Sequence, residues 1–219
     1  MRQNDRLRKG LGLLLVGLVI AFGLACGGGD EENGGDGDGN GEDDNGGDDN
    51  GGDISMITPY VNESDMRHVE PFFQDSHRGL DFPPTDDLAP FQAVSSGVID
   101  VVSLVQLESS SNWQVELEIK HNSTYTTLYA FEPMTSDQTD GETQLSNISV
   151  SVGQTVSQGD IVGYLYNKGE GAHVHFSLFK YGSDGGDPAI CPEPYFTQEA
   201  NDSILRLIHV EYPDLDMCN

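Results

Sequence analysis

Basic side chains are scarce in this chain: its 219 residues carry 10 Lys and Arg against 37 Asp and Glu, a formal net charge of −27. The deficit is not confined to one end, because residues 54–219 alone hold 6 bases against 25 acids. A surface this negative repels phosphate backbones, which excludes DNA and RNA as partners. Long apolar runs are missing too. The longest, residues 11–24, falls short of the roughly 20 apolar residues that a comfortable membrane span needs. Residues 27–53 lack bases and apolar side chains altogether and consist of Gly, Asp, Asn and Glu, with 11 acids among them. Nothing there can be buried to offset the entropy of ordering, so the stretch reads as a disordered leash, made flexible by Gly and stretched by like charges. Asp, Asn and Gly mixtures also supply oxygen ligands to calcium, but neither a strict period nor a bidentate Glu position is present.

What stands before the leash has its own layout. Arg2, Arg6, Arg8 and Lys9 precede the apolar run, and Cys26 closes it in Phe22-Gly23-Leu24-Ala25-Cys26. A basic start followed by a short apolar segment is the plan of an export signal. Its end resembles a bacterial lipoprotein cleavage site, with Gly23 where that pattern usually has a Leu-like residue. The resemblance implies a signal peptide over residues 1–25, a lipidated Cys26, and a tether over residues 26–53 that holds the remainder at a membrane. The alternative is an ordinary cleaved signal beside a chance Cys. Gly27 stands where an Asp commonly keeps lipoproteins at an inner membrane, which favours the outer membrane. Two cysteines remain, Cys191 and Cys218. An oxidising compartment would join them, clipping residues 196–219 back onto a domain of residues 54–195; two unpaired thiols are the alternative.

That domain reads as β-rich. Residues 113–119 alternate apolar and polar without a break, the pattern of a strand with one buried face. Residues 93–107, rich in Val and Ile with Gly97 as punctuation, residues 124–131, rich in Thr and aromatics, and residues 148–152, 161–166 and 172–179 complete the set. Asn122 and Ser123 form a hairpin break. Residues 132–147, polar and aperiodic, read as a surface loop, and only residues 201–209 look helical. Several short strands at close spacing predict an all-β, antiparallel sandwich or barrel-like sheet with a short helical C-terminal tail.

Two clusters carry chemistry. In Ala172-His173-Val174-His175-Phe176-Ser177-Leu178, strand alternation puts Ala172, Val174, Phe176 and Leu178 on a core face and His173, His175 and Ser177 on the other. In His77-Arg-Gly-Leu-Asp81, a spacing of four puts imidazole and carboxylate on one side of a strand or a helix turn. With one His of the pair, His77 and Asp81 make three donors, the number a catalytic zinc uses while its fourth position stays open to water.

These pieces resemble the lysostaphin/LytM family of zinc peptidoglycan endopeptidases, of the duplicated hybrid motif fold. His77-Arg-Gly-Leu-Asp81-Phe82 matches the first metal motif. Thr127-Leu-Tyr129-Ala130 matches the segment leading to a middle His. Val152-Gly153-Gln154-x-Val156-x-x-Gly159-Asp160-x-Val162-Gly163 matches a glycine-punctuated turn, and Gly171-Ala-His173-Val-His175-Phe176 the last motif. The similarity runs over roughly residues 70–180. It implies Zn²⁺ on His77, Asp81 and His175, His173 as the residue that handles a proton or steadies the transition state, and hydrolysis of peptide bonds in peptidoglycan or another peptide by a domain in the periplasm or at the cell surface. One position departs. Phe131 stands where the family motif has its middle His, which implies reduced turnover and an expected gain from Phe131→His. His121 and Glu132 are the nearby groups that could substitute, and His68 and His209 read as surface residues. The alternative to an enzyme is a weak or inactive LytM-type domain that binds cell wall or activates another hydrolase.

Overall fold

The computed structural model describes residues 52–182 and 188–219. The signal peptide, Cys26 and the tether up to residue 51 lie outside the described residues. Among those described, no helix is long and apolar enough to cross a membrane.

The elements, in chain order, are β1 (Leu80–Phe82), β2 (Ala89–Gln92), β3 (Gly97–Gln106), β4 (Trp113–Lys120), β5 (Tyr125–Thr135), α1 (Gln138–Ser146), β6 (Thr155–Val156), β7 (Ile161–Leu165), β8 (His173–Lys180), β9 (Ala189–Ile190) and α2 (Gln198–Glu211). A seven-stranded antiparallel sheet runs β1-β8-β5-β4-β3-β6, with β9 also paired to β8, and β2 and β7 form a second sheet of two strands. The fold is the expected all-β one, and the helical tail is present as α2.

Alternation explains the layering. Val115, Leu117 and Ile119 of β4, Tyr129 and Phe131 of β5, and Val174, Phe176 and Leu178 of β8 all turn to one face of the large sheet, where each is buried. Phe91 of β2 and Val162 and Leu165 of β7 join the same core. The tail belongs to it as well: Ile204, Leu207 and Ile208 of α2 and Met217 are buried in that cluster. Each such aliphatic side chain contributes about 1.5–3 kcal/mol by leaving water. Thr197 caps α2, its hydroxyl accepting from the Ala200 N–H at 3.2 Å. The disulfide between Cys191 and Cys218 closes the tail onto the sheet.

Two expectations fail locally. Residues 132–147 are not a loop: β5 continues to Thr135, and α1 follows. This helix has no apolar stripe to betray it. It is held by polar contacts, with the Asp137 carboxylate accepting from the Thr139 N–H at 2.9 Å and the buried Gln144 donating to the Tyr164 carbonyl and accepting from the Tyr166 N–H. Gly141 lets it approach Trp113, since a Cβ there would stand 2.7 Å from the Trp113 Cβ. Residues 148–152 do not form a strand either. Only Ile148 pairs, in an isolated bridge to Gly163, and the chain then turns through Gly153 at φ +84°, a left-handed conformation that favours glycine.

Candidate metal centre

Three strands set a row of side chains on the face of the sheet opposite the core. Asp81 of β1 pairs with His175 of β8, and His175 pairs with Ala130 of β5. Directly paired residues share a face, so the carboxylate and the imidazole stand side by side with only a methyl beyond them. The next row holds His173 of β8 opposite Glu132 of β5. His77 arrives from outside the sheet, at the end of a turn over residues 74–76 that is closed by the Phe73–His77 bridge.

The donor atoms converge. His175 Nδ1 lies 2.7 Å from Asp81 Oδ1, His77 Nε2 lies 3.0 Å from the same oxygen, and the two ring nitrogens are 3.3 Å apart. Zinc bonds of about 2.0–2.2 Å in a tetrahedral arrangement would place donors roughly 3.3 Å apart, so the spacing fits.

The second bond of each ring fixes which nitrogen faces the centre. His77 Nδ1 lies 3.0 Å from the Pro71 carbonyl, which can only accept, so Nδ1 carries the hydrogen and Nε2 keeps its lone pair. The Ser177 hydroxyl donates to the Arg78 carbonyl and therefore accepts from His175 Nε2 at 3.0 Å, leaving the His175 lone pair on Nδ1. Two lone pairs and a carboxylate oxygen thus point at one spot, an arrangement that calls for a cation or a proton.

The electrostatics agree. The hydrogen bond to Asp81 pushes the His77 imidazole up to about 9 against the cost of its burial. Burial works against the Asp81 charge, yet the two imidazoles beside it, His175 and His77, each a donor to it once the ring carries a second proton, outweigh burial and hold that carboxyl well below the usual range. In a cation-free chain a proton on His77 fills the role of the cation.

His173 stands beside this group. Its Nδ1 donates to the Gly171 carbonyl at 2.7 Å, which turns Nε2 toward Asp81 Oδ2 at 3.4 Å and Glu132 Oε2 at 3.9 Å. Burial raises the Glu132 carboxyl above its ordinary range. A groove lined by Arg67, His68, Glu70, Pro83 and Glu170 opens onto Asp81 and His173.

Phe131 requires a correction. It pairs with Val174 and so faces the core, fully buried, with its ring 5.7 Å from that of Phe91. The site-facing positions of β5 are its neighbours Ala130 and Glu132. Phe131 therefore neither occupies the site nor leaves a gap in it. The variant Phe131→His would bury an imidazole among aromatics and is expected to cost about 2–3 kcal/mol. A lower Tm with no gain in hydrolysis is the outcome expected from a thermal melt and an activity assay together. His121 is also accounted for structurally. It bridges the Ser96 carbonyl and the Thr127 hydroxyl at 2.9 Å each, on the core side of the sheet. His68 pairs with Glu211 at 3.2 Å, and His209 donates to the Leu215 carbonyl.

The supports of the centre are the Pro71 and Arg78 carbonyls and Gly79. Backbone carbonyls leave no trace in a sequence, but the glycine within the first motif was a usable signal. A Cβ at Gly79 would press on the His175 ring and lie 2.7 Å from the Phe176 carbonyl oxygen. Gly79→Ala is expected to lower metal affinity about 10–100-fold by turning that ring, measurable by competition with a chromogenic chelator.

An antiparallel sheet that brings two imidazoles and a carboxylate to one spot, beside a groove that opens onto Asp81 and His173, offers a donor set that a divalent metal fits. The chain belongs to peptidase family M23, whose family model matches residues 75–188.

Solved structures of similar fold include the catalytic domain of the prophage-encoded M23 protein EnpA from Enterococcus faecalis, in mutant form. It is 20% identical, with a TM-score of 0.44, over 64% of this chain and 97% of that one. The antimicrobial peptidase lysostaphin from Staphylococcus simulans is 18% identical, with a TM-score of 0.43, over 66% of this chain and 55% of that one. A zinc containing peptidase from Vibrio cholerae is 23% identical, with a TM-score of 0.40, over 58% of this chain and 37% of that one. The chain thus spans about half of lysostaphin and about a third of the Vibrio peptidase. No curated protein sequence matches it.

Proposed function

We propose that the domain is a zinc endopeptidase that hydrolyses peptide bonds in bacterial cell-wall peptidoglycan, exported and held at the envelope through a lipid on Cys26. The observation that carries this reading is the convergence of His77 Nε2, His175 Nδ1 and Asp81 Oδ1, with the outer nitrogen of each ring already bonded elsewhere. These three residues would hold the ion. Zinc, when bound, polarises the scissile carbonyl and brings the acidity of a water toward neutrality. The chain's own residues do the rest. Ser177 and the Pro71 carbonyl keep the rings oriented, and His173 turns Nε2 toward the place where substrate would lie. Membership in family M23 supports a peptidase, and the Cys191–Cys218 disulfide supports an oxidising location outside the cytoplasm.

Metal analysis of the purified chain, followed by peptidoglycan hydrolysis with and without chelator, tests the proposal. One zinc per chain and chelator-sensitive release of new amino termini are expected. Zinc bound with no hydrolysis of any cell wall would instead make the chain a non-enzymic wall-binding relative.

A further inference from the structure

With Phe131 in the core and His121 bonded on the core side, the proton-handling partner of His173 must be sought on the site face of the sheet. Strand β5 offers three residues near that site, since Leu128, Ala130 and Glu132 pair with Ser177, His175 and His173. Leu128 and Ala130 cannot carry a proton. Glu132 is the ionisable one, and its side chain is 19% exposed, low enough to shield it and open enough to admit water. Its Oε2 lies 3.9 Å from His173 Nε2, which is in turn 3.4 Å from Asp81 Oδ2. Glu132 thus stands across the second row from His173, one row along the sheet from His175, and is not among the three donors.

We propose that Glu132 is the proton acceptor of the peptidase reaction, leaving His173 to face the developing oxyanion. This rests on the peptidase reading given above. As the water oxygen bonds to the scissile carbonyl carbon, one O–H bond breaks and its proton passes to Glu132. The carbonyl π pair moves to the oxygen, beside a His173 ring that carries a hydrogen on both nitrogens and donates from Nε2. On collapse that pair re-forms the C=O bond, the C–N bond breaks, and Glu132 returns its proton to the leaving nitrogen. The products are a carboxylic acid and an amine, and the Glu132 carboxylate is regenerated. A carboxylate can fill this role in a zinc peptidase because it needs only one lone pair within reach of the water.

Glu132→Gln, in the full chain, keeps the shape and removes the base. Its kcat is expected to fall about 10²–10⁴-fold with KM and zinc content unchanged. Glu132→Asp, which keeps a carboxylate on a shorter arm, is expected to lie between the two. A readout independent of turnover is the binding of a phosphinic peptide, a tetrahedral anion. Glu132 must be protonated to bond to it, so calorimetry in two buffers of different ionisation enthalpy is expected to show about one proton taken up by the unmodified chain and none by Glu132→Gln. Should the Gln variant fail to fold, Glu132→Ala takes its place in both measurements. A kcat within about threefold of the unmodified chain, a fall accompanied by zinc loss, or undiminished proton uptake would each overturn the assignment. An unmodified chain that cleaves no peptide overturns the peptidase reading first and this one with it.

Discussion

Asp81→Asn is expected to abolish zinc binding at micromolar metal and to lower hydrolysis by about 10³–10⁵-fold, the several kcal/mol that a metal supplies to such a reaction. The reason lies in charge. Of the three converging donors, two are neutral rings when their lone pairs face the centre, so Asp81 brings the only formal negative charge among these donors of the described residues. It is 15% exposed and touches both rings, at 2.7 Å and 3.0 Å. An amide keeps the shape and loses the charge. Stability provides a second readout. Zinc at a thousand times its dissociation constant stabilises the native state by about 4 kcal/mol, so the Tm of the unmodified chain is expected to rise with zinc while that of the variant stays still.

The dependence on pH follows from His77. Without a cation, Asp81 keeps the His77 ring protonated up to about 9, and zinc must displace that proton. Affinity is therefore expected to climb as pH rises and to level off above about 9. The sign for the cation-free chain is the reverse. The His77–Asp81 pair stabilises the fold fully below the ordinary imidazole range and is lost as pH rises through about 9. Zinc bound to Asp81→Asn at undiminished affinity would remove these three residues as the centre.

Reducing the Cys191–Cys218 disulfide, or replacing both cysteines by Ser, is expected to cost about 3–4 kcal/mol and to lower Tm by roughly 7–14 °C. The bond closes a loop with a sequence separation of 27 that contains all of α2. Opening it gives the unfolded chain back the entropy of that loop. The effect is also expected at the candidate centre. Cys218 bridges to Phe72, whose N–H donates to the Met217 carbonyl at 2.9 Å and whose carbonyl accepts from the Asn219 N–H at 2.9 Å. Phe72 follows Pro71, the residue whose carbonyl orients His77. A loosened chain end therefore loosens a ligand ring, and zinc affinity is expected to fall alongside Tm. Calorimetry at fixed free zinc, with and without reductant, measures both. A Tm within a degree or two of the oxidised chain would show that the tail is held by its apolar contacts alone.

Local pattern made much of this protein legible. Residues 113–119 and 172–179 alternate strictly because one face of each strand is buried, and the same alternation separates His173 and His175 from the core-facing Val174 and Phe176. The glycine-punctuated motifs identified the family. Where both faces of a segment are buried, the period disappears: in β5, Thr127, Tyr129, Ala130 and Phe131 are all buried, so nothing in the chain said which face Phe131 would take. In α1 the stabilising contacts are an N-cap, the Gln144 side chain and a glycine approach, none of which leaves a hydrophobic stripe.

By itself, then, the sequence determined the β-rich class, the excess of acid and the two cysteines left to pair, because composition and short-range alternation are properties of the chain; the choice of His175 over His173 as a donor came only from the family resemblance. The tertiary structure alone decided that Phe131 lies inside, that Glu132 lies across from His173, and that His77 and His175 meet with a carboxylate between them. Pairing register settles the first two points and the turn over residues 74–76 the third, and a slip of a single residue turns every side chain of a strand to the opposite face. The pairings that bring β1, β5 and β8 together join residues about 40 to 100 positions apart in the chain, out of reach of any local pattern.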